Sequence, residues 1–289
     1  MEKTQQRSYM VRLFFSFLLL FTLSSAEVTS TQSKNLLEEK IKQLMDVNVY
    51  NKNRGYIKTI FAKKSKYYKQ DRVRIMRVVH TLKANGLLKL RFKKPQELRL
   101  SFKTTGHPMF FVKIMGDTLR NIGYYRYVTT SSSLSNEEFT WTIGLTTEYA
   151  TDPLVLQKEL NKSGCRIVDI KRAKATEWEY TIDTSHASLN VVKLRRANEL
   201  KLKRSLYAHW LNVSNIKKLG VISGERNSWY PHIVYYDSSL HILKVIKKDK
   251  KTQEVSFAIP KNAKYMKISD LYTMKNMKDD LVLNPMGYR

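Results

Sequence analysis

The chain has 289 residues, with 52 Lys or Arg against 25 Asp or Glu, a formal charge of +27. Its aromatic content (17 Tyr, 11 Phe and 4 Trp) is enough for packed cores and excludes a wholly disordered chain. Cys165 is the only cysteine, so no intramolecular disulfide forms, unlike in most secreted eukaryotic domains.

The chain opens with Lys3, Arg7 and Arg12, then the apolar run Leu13–Leu23, then Ser24, Ser25 and Ala26. A basic start, an apolar middle and a small-residue end form the pattern of a secretory leader. The run is 11 residues long, and a membrane-crossing helix needs about 20. The expectation is cleavage after Ala26, export, and a mature chain not integral to the membrane. Loss of Lys3, Arg7, Arg12 and Glu2 lowers the charge only from +27 to +25. An exported chain without disulfides fits a bacterial periplasm. There the abundant polyanions are phospholipid head groups, lipopolysaccharide phosphates and anionic glycan rather than nucleic acid.

Residues 27–95 read as a helical region ending in a β-hairpin. Leu36, Leu37, Ile41, Leu44 and Met45 recur at helical spacing behind Ser33 as N-cap. Tyr56, Ile57, Ile60 and Phe61 mark a second helix. A third starts near Asp71, carries Val73, Ile75, Met76, Val79 and Leu82, and stops at Asn85-Gly86. Leu87–Lys93 and Glu97–Phe102 alternate around a Lys-Pro-Gln turn and predict the hairpin. Helix plus hairpin resembles a winged helix, with Arg72, Arg74, Arg77 and Lys83 on the recognition helix. Export argues against DNA as its partner.

Residues 96–186 predict a ferredoxin-like α+β sandwich. Glu97–Phe102 is a strand, and Pro108 starts a helix with Phe110, Phe111, Ile114, Met115 and Leu119 on one stripe. Tyr124–Ser131 and Phe139–Thr146 are strands joined by a polar loop. Asp152-Pro153 opens a second helix, and Cys165–Lys171 and Trp178–Asp183 follow as strands. The order strand–helix–strand–strand–helix–strand is a split βαβ arrangement, here with one extra strand. It resembles the small periplasmic domains of type IV pilus alignment proteins in topology.

Residues 187–289 predict a jelly-roll-like β-sandwich, so the whole chain reads as multi-domain α+β. Its strands are Val191–Leu194, Glu199–Lys203, Ala208–Val213, Leu219–Ile222, His232–Tyr236, Leu240–Ile246, Glu254–Ile259 and Tyr265–Ile268. Jelly-roll sandwiches of this size resemble carbohydrate-binding modules.

Glu159-Leu160-Asn161-Lys162-Ser163 matches an acidic-extended N-glycosylation sequon. With its charge and leader, the chain resembles the basic periplasmic proteins of Campylobacter- and Helicobacter-like bacteria. That resemblance implies modification at Asn161.

The sequence contains no HExxH, GxSxG, P-loop or GxGxxG motif, and the histidines His80, His107, His186, His209, His232 and His241 are scattered. No catalytic residue, metal ligand or cofactor is assigned. Cys165 follows Gly164 at a strand start and reads as core. Glu177 and Glu179 share a strand face, the one arrangement compatible with a carboxylate-dependent glycan hydrolase. Trp229, Tyr230 and His232 follow a polar loop and are the candidate contacts for a sugar or a protein partner. The leading expectation is a non-enzymatic periplasmic scaffold in an envelope assembly such as a flagellar motor, pilus or secretion apparatus. The alternatives are a glycan- or peptidoglycan-binding protein and an exported hydrolase.

Overall fold

A computed structural model describes residues 36–288, so the expected leader at 1–26 and the Ser33 cap lie outside the described residues. The chain is mixed α/β, mostly strand, in several sheets. It divides into two compact units. One runs up to Gly106 and takes in Met115–Ala187; the other combines His107–Ile114 with Ser188 onward. The helical region and the α+β region therefore belong to one unit.

Four short helices open unit 1: α1 at 36–44, α2 at Val47–Lys52, α3 at Arg54–Ile60 and α4 at Ile75–Ala84. Asp46 starts α2 by accepting from the backbone N–H of Asn48 and Val49 at 3.0 and 3.2 Å. α4 begins four residues later than its pattern predicts. Arg72 and Val73 pair with Lys69 and Tyr68 in a two-strand hairpin, β1 (Tyr68–Lys69) and β2 (Arg72–Val73). α4 buries Ile75, Val78, Val79 and Leu82, each contributing roughly 1.5–3 kcal/mol of transfer free energy. Leu37, Ile41, Leu44, Ile57 and Phe61 are buried in the same helical region.

The predicted hairpin at Leu87–Lys93 and Glu97–Phe102 is not formed. Arg91–Thr104 is one long strand, β3, which also runs through the expected boundary at residue 95. Pro95 falls where the register against the neighbouring strand Glu138–Tyr149 shifts between Arg91 and Gln96. An irregular, exposed stretch of strand tolerates a residue with no N–H.

The next element, α5 (Pro108–Asn121), is divided, its residues up to Ile114 falling in unit 2 and the rest in unit 1; the remaining elements of unit 1 are β4 (Val128–Ser135), β5 (Glu138–Tyr149), α6 (Pro153–Asn161), β6 (Arg166–Lys174) and β7 (Glu177–Asp183). Asp152 caps α6, accepting from Leu154 N–H at 3.0 Å, with Pro153 at the first helical position. The polar segment expected as a loop supplies the second half of β4, residues 132–135. It turns into β5 at Asn136-Glu137, both with φ near the left-handed region at 48° and 64°.

The sheet order is β4-β5-β3-β7-β6. This corrects the ferredoxin-like expectation, because β7 inserts between β3 and β6 and runs parallel to β3. The reason lies in the side chains of β7. Trp178, Tyr180 and Ile182 are buried on one face, and the Tyr180 ring stacks 5.7 Å from Phe102 of β3. A strand with that much aromatic mass belongs in the sheet centre, not at an edge. The helical region closes the β6 edge: Lys40 pairs with Asp169 at 2.6 Å, and Arg172 donates to the Leu44 carbonyl at 3.0 Å.

Unit 2 is a β-sandwich. One sheet has the order β13-β12-β15-β10-β8, from β8 (Val192–Lys193), β10 (His209–Asn212), β12 (Pro231–Tyr236), β13 (Ile242–Lys247) and β15 (Tyr265–Asp270). The other has the order β14-β11-β16-β9, from β9 (Leu200–Leu202), β11 (Ile216–Ser223), β14 (Glu254–Ala258) and β16 (Leu281–Tyr288). Leu211, Ile233, Tyr235, Met266 and Ile268 of the first sheet share one core with Leu219, Val221, Phe257, Leu281 and Leu283 of the second. β16 has no counterpart among the predicted strands.

Candidate functional site

The aromatic cluster after the polar loop is mostly core. Trp229 is fully buried, and its indole N–H donates to the Ser269 carbonyl at 3.0 Å. This corrects its assignment as a contact residue. The loop before it is polar yet pinned. Asn227 is buried, donates to Ser223 Oγ at 3.0 Å and the Asp279 carbonyl at 3.2 Å, and accepts from Asp279 N–H at 2.6 Å. Gly224 is required there, because a Cβ would lie 2.4 Å from Asp279 Cβ.

Tyr230 is half-buried, edge-on to the exposed Tyr272 with ring centroids 5.0 Å apart. Both are set by Asp270, whose buried carboxylate accepts from the N–H groups of Tyr230, Tyr272 and Thr273. His232 is half-buried, with Nδ1 3.3 Å from Ser269 Oγ. Burial, followed by Lys267 and Lys247, lowers its pKa, so near neutral pH it adds no charge. The structure brings Tyr230 and Tyr272 together and removes Trp229 from the set.

The carboxylates offered for hydrolysis are occupied. Glu179 lies 3.3 Å from both Lys103 and Lys171, and Glu177 lies 3.1 Å from Lys174. They line a hollow of about 340 Å³ with Arg99, Lys171 and Trp178. Glu138 joins the same network through Lys103 at 3.3 Å. Asp279 is held by Arg226 and Asp280 by Lys201 at 3.7 Å. Cys165 is fully buried, and burial, with a smaller contribution from Asp183, pushes its thiol up to about 11. A thiol so rarely ionised at neutral pH is a poor nucleophile. Among the described residues no group of His, Cys, Asp and Glu is placed to hold a metal ion. Asn161 ends α6, exposed, with Oδ1 accepting from Gln157 at 2.7 Å.

The strongest candidate site is a basic groove in unit 1. One hollow of about 410 Å³ is lined by Lys69, Arg72, Arg74 and Arg77 on one side and Arg166–Val168 with Asp183 on the other. A second, of about 530 Å³, is lined by Lys66, Tyr67, Met76, Arg77 and His80. Met76 and Arg77 line both, so the two share a wall.

The local fold explains the concentration of charge. The β1–β2 hairpin turns tightly at Gln70, φ 53°, and presents Lys69 and Arg72 side by side. Arg74 N–H donates to the Tyr67 carbonyl at 2.7 Å, placing Arg74 at the N-cap of α4. Arg77 follows one turn on, tethered to the Lys66 carbonyl at 3.4 Å. No acidic residue sits in that first turn, and the cap makes no side-chain hydrogen bond. Cations at a helix N-terminus oppose the helix dipole, so an anion there is favoured twice over.

Arg166 is neutralised by Asp183 at 2.9 Å. Lys66, Lys69, Arg72, Arg74 and Arg77 have no carboxylate partner among the described residues. The sequence pattern had put Arg72, Arg74, Arg77 and Lys83 on one helix. In the structure only Arg77 and Lys83 are helical, and Lys83 is paired with Asp152.

No family model and no curated protein sequence matches the chain. One solved structure, of accessory secretory proteins 1, 2 and 3 from Streptococcus pneumoniae, is similar over 26% of this chain and 55% of that chain, at 13% identity and a TM-score of 0.19. The chain spans about half the length of that protein. A TM-score so low transfers neither fold nor activity.

Proposed function

We propose that the chain is an exported, non-catalytic scaffold protein of a bacterial cell envelope, held there by its basic groove. The periplasmic address is part of this reading and rests on the leader pattern in residues 1–26. The groove's ligand is a phosphate-bearing envelope surface, either phospholipid head groups or lipopolysaccharide. The observation that carries the reading is the set of five cations, Lys66, Lys69, Arg72, Arg74 and Arg77, that line two neighbouring hollows without carboxylate partners. Guanidinium groups in a fixed arrangement engage phosphate oxygens in pairs. At the predicted aromatic cluster a glycan-binding role retains the half-buried Tyr230 beside the exposed Tyr272, and a hydrolase role retains carboxylates already held by lysines.

Cosedimentation with vesicles tests it. The mature chain should bind vesicles containing anionic phospholipid and not zwitterionic ones, and release as salt rises. Each surface cation contributes about 1 kcal/mol at such a membrane, so Arg72→Gln/Arg74→Gln/Arg77→Gln should weaken binding about 100-fold. All three side chains are exposed, so the variant keeps its fold. Equal binding to neutral vesicles, or no effect of the triple change, overturns the reading.

A further inference from the structure

We infer that β4 is a pairing edge, and that its occupant is β4 of a second copy of this chain, joined antiparallel so that two five-stranded sheets become one. An open sheet edge presents unpaired N–H and C=O groups and is normally blunted by charge. Every other sheet edge among the described residues carries charge. β6 holds Arg166, Asp169, Lys171, Arg172 and Lys174, and is covered by the helical region as well. In unit 2 the edge strands β13, β8, β14 and β9 hold Lys244 and Lys247, Lys193, Glu254 and Lys201. β4, Val-Thr-Thr-Ser-Ser-Ser-Leu-Ser, has none, and all eight residues are exposed.

In a chain of charge +27, most faces of a second copy are repelled. A charge-free edge is the exception, and the charges at its two ends select the second copy over an arbitrary strand. Arg126 precedes β4, and Glu137 stands in the turn that follows it. Neither has an ionic partner among the described residues. Antiparallel pairing of two copies centred on Ser132 brings Arg126 of each towards the Glu137 end of the other. A parallel arrangement would set like against like.

The faces also agree. Ser132 and Leu134 lie opposite Trp141 and Phe139 of β5, and Ser131 and Ser133 lie opposite Thr142 and Thr140. Centring on Ser132 then opposes Ser131 to Ser133 of the partner, small against small, with no clash. The register shift between Thr129 and Ser131 bends only the first part of the strand and leaves Ser131–Ser135 regular. The contact is one strand wide, below the area of a permanent dimer, so association should depend on concentration.

Sedimentation velocity over a concentration series, in salt high enough to suppress the basic groove, should show a monomer–dimer equilibrium. Ser131→Lys/Ser133→Lys opposes lysines directly and should return the chain to monomer. Both positions are exposed, so the fold is kept. Repeated at low salt, where an exposed ion pair is not screened, Arg126→Glu should weaken the dimer, and adding Glu137→Arg should restore it. In the centred pair the two Ser132 Cα atoms stand about 4.5–5.5 Å apart, within disulfide reach. Ser132→Cys should therefore crosslink to a dimer on oxidation, the native Cys165 being buried, whereas Ser256→Cys on the β14 edge should not. A monomer at every concentration, or a dimer indifferent to Ser131→Lys/Ser133→Lys, overturns the inference. Loss of an envelope partner by that variant, with the wild type monomeric, would assign the edge to a partner's strand and overturn self-pairing equally.

Discussion

Replacing Trp229 by Ala should collapse part of unit 2 rather than remove a ligand contact. The indole is fully buried within a core that draws on both sheets of the sandwich. Truncating a buried tryptophan costs about 3–5 kcal/mol through lost transfer free energy and the cavity left behind. The lost hydrogen bond to the Ser269 carbonyl adds about 1 kcal/mol. A domain of this size has a total stability of about 5–15 kcal/mol, so the change takes a large share of it. Trp229→Phe separates the two contributions, since it keeps most of the ring volume and loses the N–H. The assay is urea titration read by hydrogen exchange in β12 and β15, which flank the indole, with β3 and β7 of unit 1 as internal reference. Protection in β12 and β15 should fall at much lower urea in Trp229→Ala and modestly in Trp229→Phe, with the reference strands unmoved. Unchanged protection in Trp229→Ala, together with loss of binding to any glycan, would refute the core assignment and restore Trp229 as a contact residue.

Two further outcomes follow from local geometry. The Cys165 thiol should resist alkylation in the folded chain at pH 8 and react fully in denaturant, as mass spectrometry of the modified peptide would show. Its folded-state pKa is raised from 9.0 to about 11, so the neutral form is favoured by folding. The associated stability is complete below pH 9 and is lost as pH rises towards 11. Gly164→Ala should destabilise unit 1 by about 2 kcal/mol or more in a denaturant titration. Gly164 has φ +72°, and a Cβ there would meet the His186 carbonyl oxygen at 2.3 Å.

Local order was legible in the sequence wherever one face of an element is apolar. α6, with Asp152 and Pro153 at its start, and the strands of unit 2 from β8 to β15 follow from period and punctuation alone. β16 was not legible, because Asn284-Pro285 reads as a break. The strand survives it because β9 pairs only with Leu281–Leu283, so Pro285 lies where the ladder is already thinner. The place of β7 was hidden for a different reason. Alternation shows that Trp178, Tyr180 and Ile182 face a core, but not which strand they lie beside. Trp229 misled because the preceding Ser-Gly-Glu-Arg-Asn-Ser looks solvated, whereas Asn227 spends its hydrogen bonds inside the protein.

Charge is where sequence and structure differ most in what they disclose. Counting residues shows a basic chain and nothing of where the excess lies. Folding pairs some of the cations and leaves the excess itself unchanged: Lys40 against Asp169, Lys83 against Asp152, Lys103 between Glu138 and Glu179, Arg166 against Asp183. These pairs span long stretches of sequence, so no local pattern anticipates them. Solvent-accessible pairs add little stability individually, and each of the pairs named removes a cation from the set available to a partner. What remains is uneven. The β1–β2 hairpin and the start of α4 keep five cations uncancelled within one short segment, while β4 is left with no charge at all. A polyanion and a second copy of the same basic chain need opposite surfaces. Unit 1 presents a surface of each kind, so the two proposed interactions can be tested separately by salt.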